Sequence, residues 1–302
     1  MNPSDIATTT PLLPMSDALA ARFKRIDERP VVLDVLHLGK RFTRGKKHID
    51  ALLDISFQVH RREFLCVVGQ SGCGKSTLAR ILAGLDHPTA GQVLVDDMPV
   101  TGPGPERGMV FQGYTLFPWL TVHRNVMFGP LSRGIGPNEA SARACEWIDM
   151  VGLSAFTDAY PDQLSGGMKQ RVAIARALAN QPRVLLMDEP FGALDAQTRS
   201  KMQAHLLQIW QNVDVTIIFI THDLEEAIYL ADRVIVLGAN PSRIVETIDV
   251  PLARQRSRDD LASPQFIATK AHLESLIHPP QQATTIEQLP MPRMTMVGDD
   301  VW

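Results

Sequence analysis

The stretch Gly69-Gln70-Ser71-Gly72-Cys73-Gly74-Lys75-Ser76-Thr77 follows the apolar run Phe64 to Val68 and opens a helical pattern carried by Leu78, Ile81 and Leu82. A strand, a glycine loop and a helix start, in that order, make a phosphate cradle. The glycines let successive N–H groups turn inward, and the helix N-terminus adds partial positive charge. Lys75 is placed to reach the β- and γ-phosphates of a nucleoside triphosphate, and Ser76 to set its hydroxyl on Mg²⁺. The bland alternative, a glycine turn with no ligand, does not account for the strand before and the helix after.

The 302 residues are 45% hydrophobic and 21% charged, enough for one large domain or two small ones with a substantial core. A net charge of −3 gives no overall drive toward nucleic acid or anionic lipid, so no nucleic-acid partner is expected. Cys66, Cys73 and Cys145 are far apart and odd in number, which fits a reducing cytosol. Cys73 lies inside the loop, where it contributes mainly backbone. The N-terminus does not read as a secretory signal. Apolar runs such as Val215 to Ile220 fall far short of the ~18 residues of a spanning helix.

Residues 1–30 read as a flexible N-terminal arm with a short helix near Ser16 to Arg25. Val31 to Leu38 and Ala51 to Val59 read as strands about a basic turn, Arg44 to Lys47. The short apolar runs Phe64 to Val68, Val184 to Met187, Val215 to Ile220 and Val234 to Leu237 alternate with helical stretches. That alternation predicts an α/β fold with a mostly parallel sheet covered on both faces. An insert over about 114–171 looks mostly helical. Beyond residue 250, an amphipathic helix is expected over Pro264 to Ile277, with Phe266, Ile267, Leu273 and Ile277 on one side and packed on the domain; residues 279–302 read as a disordered tail.

Val184-Leu185-Leu186-Met187-Asp188-Glu189 sets two carboxylates at the end of a buried strand, the edge where ligands bind in an open parallel sheet. Asp188 is suited to hold Mg²⁺, and Glu189 to polarise the water attacking a γ-phosphate. The next apolar strand ends in Thr221-His222-Asp223. A histidine there can donate to a γ-phosphate oxygen and keep Glu189 and the water in register. Alone, either feature reads as a solvated strand end or a structural histidine; beside the glycine loop the chemical reading prevails. Leu164-Ser165-Gly166-Gly167-Met168-Lys169-Gln170-Arg171 opens a further helix with a second anion-binding glycine pair, which a single site in one subunit does not need.

With the phosphate loop, Gln112, Leu164 to Arg171, Asp188-Glu189, Gly192-Ala193-Leu194-Asp195 and His222 in this order, the chain resembles the ATP-binding subunits of ABC transporters over about residues 31–250. Met168 departs from the glutamine that many members carry there. The resemblance implies a P-loop NTPase of RecA-like type with an antiparallel β subdomain and an ABC α-helical subdomain. It implies ATP and Mg²⁺ as ligands. Gly69, Ser71, Gly72, Cys73, Gly74, Lys75, Ser76 and Thr77 would bind phosphate, Phe42 would stack on adenine, and Ser76, Asp188 and Gln112 would attend the metal. It also implies a head-to-tail homodimer in which Ser165, Gly166 and Gly167 cover the partner's nucleotide and Asp195 lies at the seam.

In that family the apolar run Gly113 to Leu120 belongs to a groove that receives a membrane permease subunit, and a solute-binding protein acts indirectly. Leu116-Phe117-Pro118-Trp119-Leu120-Thr121-Val122 and Ile220 to Ala227 look most like importers of the nitrate, sulfonate and taurine group. Such a subunit is peripheral, at the cytoplasmic face of the bacterial inner membrane. An exporter ATPase and a soluble ABC ATPase remain alternatives. The DNA-repair type, however, carries a long coiled coil between loop and signature, and the ribosomal type carries two ATPase sets. A kinase or GTPase leaves Leu164 to Gly167 and His222 unexplained.

Overall fold

The computed structural model describes residues 13–278 apart from Lys46 and Asn240; the predicted tail over 279–302 lies outside the described residues. The described chain begins with α1 (Asp17–Asp27), then β1 (Val31–Arg44), β2 (Lys47–His60), β3 (Phe64–Gly69) and α2 (Lys75–Leu82). Next come β4 (Ala90–Val95), β5 (Met98–Pro99), β6 (Arg107–Val110), α3 (Val122–Ser132) and α4 (Pro137–Met150). The remainder is α5 (Gly166–Leu178), β7 (Val184–Asp188), α6 (Ala196–Asn212), β8 (Thr216–Ile220), α7 (Leu224–Leu230), β9 (Arg233–Leu237), β10 (Ile244–Asp249) and α8 (Pro264–Ile277).

Two sheets result. One is antiparallel in the order β2-β1-β4-β5, and the other runs β10-β9-β3-β8-β7-β6. In the second, β9, β3, β8, β7 and β6 are mutually parallel and β10 joins antiparallel at the edge. Every residue of β3 and β8 is buried, as expected where both faces of a sheet are covered. Alternation along β3 divides the core. Phe64, Cys66 and Val68 face the helical side with Trp210, Phe219 and Ile174, whereas Leu65 and Val67 face α2 and the antiparallel sheet through Leu78, Ile81, Leu33 and Val35. α2 is therefore held between two sheets, and its N-terminus cannot drift from the end of β3.

The short helix expected near Ser16 to Arg25 is present, and it is docked on the domain rather than loose. Residues 17–27 form α1, which buries Phe23 and Ile26. Arg22 donates to Leu252 O at 2.8 Å and pairs with Asp232, a carboxylate that also accepts the Phe64 N–H at 3.1 Å. A guanidinium beside a buried carboxylate that anchors the first residue of β3 gives this short helix a fixed seat. α8 also differs from expectation at one position. Phe266, Leu273 and Ile277 are buried, but Ile267 is 58% exposed. One residue past Phe266 turns the chain about 100° around the helix, off the packed face.

Candidate nucleotide site

β3 delivers the glycine loop, and close packing explains Gly69 and Gly74. A Cβ on Gly69 would lie 2.6 Å from Leu237 O, and one on Gly74, at φ +101, would meet Ala51 O and Leu52 Cδ2 at 3.0 Å. The hairpin β1–β2 and strand β9 thus press on the loop from two sides. Gly72, also at positive φ, faces open space, while Ser71 is exposed and Cys73 is buried. Burial pushes the Cys73 thiol up, the opposite of a reactive thiolate. Lys75, buried at the start of α2, donates to Gly69 O at 2.8 Å and Gln70 O at 2.9 Å, so its ammonium bridges the loop it follows. Ser76 Oγ donates to Asp188 Oδ1 at 3.3 Å, and Thr77 stands next on the same helix.

The Asp188 carboxyl is pushed above its ordinary value of 3.8, first by burial and then by the Glu189 charge, against the Ser76 hydrogen bond and Lys75. A half-buried acid next to a hydroxyl suits a hard cation. Among the described residues no group of three or more His, Cys, Asp or Glu could hold a metal by itself. The hydroxyl of Ser76 and the carboxylate of Asp188 are oxygen donors of the kind Mg²⁺ takes, with phosphate and water oxygens to complete its shell.

Glu189 leaves β7 with φ +46, a conformation uncommon outside glycine, and its N–H donates to Ile220 O at 2.8 Å. Its carboxylate lies between two candidates: Oε1 is 3.2 Å from His222 Nδ1, and Oε2 is 3.5 Å from Gln112 Nε2. His222 is 60% exposed and Glu189 23%, so the pair opens to solvent on the histidine side. A cleft of ≈ 650 Å³ is walled by Gly69, Ser71, Glu189 and His222 together.

A network that the sequence reading missed fixes the His222 turn. Thr221 Oγ1 donates to Glu226 Oε2 at 2.5 Å and accepts the Asp223 N–H at 3.1 Å; Gln203 Nε2 reaches Glu226 Oε1 at 3.1 Å. Asp223 caps α7 by accepting the Glu226 N–H, and Arg199 approaches its other oxygen at 3.4 Å. Burial raises the Glu226 carboxyl. The only sequence signal was Thr-His-Asp before an acidic first turn, which reads equally as an ordinary helix cap.

The remaining predicted residues lie elsewhere. Ser165 caps α5 by accepting the Met168 N–H at 3.3 Å. A Cβ on Gly166 would meet the Tyr114 hydroxyl at 3.1 Å, and one on Gly167 would meet Thr198 Cγ2 at 2.6 Å. Asp195 caps α6 through the Thr198 N–H at 2.9 Å, which lowers its carboxyl. Among the described residues no hydrogen bond or ion pair joins Ser165, Gly166 or Gly167 to residues 69–77. Phe42 is 44% exposed on the hairpin that touches Gly74, with Lys40 Nζ 5.0 Å from its ring centroid.

A matching family model, that of the ABC transporter, spans residues 52–192. An uncharacterized ABC transporter ATP-binding protein of Methanocaldococcus jannaschii is 54% identical over 238 residues, 79% of this chain and 89% of the relative. The chain belongs to the ABC transporter ATP-binding family. The nitrate import ATP-binding protein NrtD of Synechocystis is 48% identical, covering 81% of this chain and 94% of its own. The aliphatic sulfonates import ATP-binding protein SsuB of Bacillus cereus is 42% identical, with 76% and 90% covered. Among solved structures, a dimeric ATP-binding cassette in a post-hydrolysis state, bound to ADP and Pi, matches with a TM-score of 0.63 and 32% identity over 72% of this chain and 98% of that one. The fold of this chain, an antiparallel and a mainly parallel sheet, is that of the matched cassette.

The raised Asp188 carboxyl has a consequence for the ABC subunit free of ligand. The folded chain holds that proton more tightly than the unfolded chain, so this contribution is greatest below 3.8 and declines as pH rises from there through the folded value. In urea titrations across that window, Asp188→Asn should lose this decline and be the more stable form at neutral pH; equal pH slopes in the two proteins would contradict the burial.

Proposed function

We propose that this chain is the ATP-binding, ATP-hydrolysing subunit that energises an ABC importer for a small anion of the nitrate, sulfonate or taurine type. The observation that carries the ATPase reading is the convergence of Lys75, Ser76, Asp188, Glu189 and His222 at the ends of β3, β7 and β8. The relatives named for nitrate and sulfonate import support the solute class.

In this reading the backbone of Gly69 to Thr77 and the Lys75 ammonium hold the β- and γ-phosphates. Phe42 offers its exposed face to adenine, a contact of roughly 1–3 kcal/mol. Ser76 and Asp188, with Gln112, hold Mg²⁺, which when bound neutralises phosphate charge. Glu189 takes the proton of the attacking water, and His222, through Nδ1, keeps the Glu189 carboxylate aimed. Ser165, Gly166 and Gly167, packed near Tyr114, Leu194 and Thr198, serve the nucleotide of a second copy, with Asp195 at the seam. The dimeric cassette with ADP and Pi supports a homodimer.

Glu189→Gln should retain ATP binding and lose hydrolysis by about 10²–10⁴-fold, the usual contribution of a general base. Near-normal turnover would remove Glu189 from that role.

The coupling surface is an apolar groove. Phe117 packs on Phe128 at 4.6 Å and on Trp119 at 5.6 Å between centroids, and Trp119 remains 70% exposed. Asn125, fully buried, holds the backbone of Phe117, Leu120 and Thr121, so the loop presents these rings in a fixed shape. A cavity of ≈ 420 Å³ with Thr115, Phe117, Phe128 and Arg176 on its walls lies beside them. We assign it to the permease. That contact would hold the chain at the cytoplasmic face of the inner membrane; among the described residues no helix is long and apolar enough to cross a membrane. The tagged chain drawn from detergent-solubilised host membranes should carry a polytopic membrane protein in a 2:2 complex; recovery as a membrane-free dimer would argue against transport.

A further inference from the structure

Helices α2, α6 and α7 each follow a parallel strand, so their N-termini open at the carboxyl edge of the sheet. α8 meets that edge the other way round. It is packed on α7 and β9, tied by Lys270 Nζ to Glu225 Oε1 at 2.6 Å and by His272 Nε2 to Glu246 Oε1 at 2.9 Å. Its last carbonyl, Ile277 O, accepts a hydrogen bond from Gln70 Nε2 at 2.5 Å. Gln70 is the second residue of the phosphate loop. Ile277 and His278 consequently form a wall of the same ≈ 650 Å³ cleft that Ser71, Glu189 and His222 line. Glu274, one turn back, lines an adjoining cavity with His222.

The electrostatic sign of this arrangement is adverse to a polyphosphate. A helix carries about half a negative charge at its carbonyl end, and anions are stabilised at the opposite end. Glu274 adds a carboxylate to the same turn, only partly offset by Lys270 Nζ at 4.0 Å, which also pairs with Glu225. A helix needed only for packing could end anywhere along the face it covers; this one ends on the loop that cradles phosphate, fastened by a side chain of that loop.

We infer that Gln70 and the last turn of α8 form an affinity-setting contact that opposes ATP. Docked through Gln70 and Ile277, α8 lowers affinity for the nucleotide; bound nucleotide loosens the end of α8 by the same coupling free energy, since the two effects are reciprocal. The inference rests on the nucleotide reading above. It makes Gln70 a positioning residue, acting through α8 rather than on the phosphates.

Two measurements on the full chain test it, both with the Mg²⁺ complex of the β,γ-imido analogue of ATP. Gln70→Met keeps the side-chain length and removes the donor without adding charge. By calorimetric titration it should bind the analogue about two- to fivefold more tightly than the wild type, the range of a helix-end charge interaction. In the wild-type chain, backbone hydrogen exchange over Leu273 to His278 should quicken when the analogue binds. Equal or weaker binding by Gln70→Met, or slower exchange at the end of α8, overturns the inference while leaving the nucleotide reading in place. If Gln70→Met does not fold, the exchange result decides alone. Failure of the wild type to bind the analogue would sink both.

Discussion

Strand β3 has no exposed residue, and it pairs in parallel with β8 on one side and β9 on the other. The rest of the site follows from that pairing. With the strand interiors committed to two apolar cores, polar chemistry is confined to the strand ends, and parallel pairing brings those ends to one edge. Gly69 to Lys75, Asp188-Glu189 and Thr221-His222 meet there although about half of the chain separates the first from the last. Contact of α2 with both β3 and the antiparallel sheet keeps Lys75 and Ser76 in register with Asp188, and the hairpin of β1 and β2 closes on Gly74, where φ is +101 and a Cβ would be crowded at 3.0 Å.

Much of this site was legible because its signals are local. The glycine loop, the acidic pair and the histidine each sit at a strand end that its own apolar run announces. What the sequence concealed depends on partners far along the chain. α1 has only Phe23 and Ile26 as buried residues, too sparse a stripe to predict docking, and its anchor, Arg22 on Asp232, spans 210 positions. Glu226 reads as a surface acid of a helix's first turn, yet it is buried and accepts from Thr221 and Gln203. The helical pattern of α8 was visible, but not its meeting with Gln70, since that depends on where the helix lands rather than on its periodicity.

The division of labour between two faces carries the functional account. Lys75, Asp188, Glu189 and His222 gather around the phosphate loop, whereas Ser165, Gly166 and Gly167 sit against Tyr114, Leu194 and Thr198 on the helical side. In the proposed reading, a chain that holds both halves without joining them takes a second copy to make a complete site. On that proposal, release of the γ-phosphate would remove part of the contact between copies and so turn a chemical step into a change of arrangement.

That claim is tested most directly by the mass of the ligand-bound species. Sedimentation velocity of Glu189→Gln with MgATP should show a species of twice the chain mass that is absent without nucleotide. A chain that binds ATP and stays monomeric at concentrations well above its ATP dissociation constant would contradict the shared site.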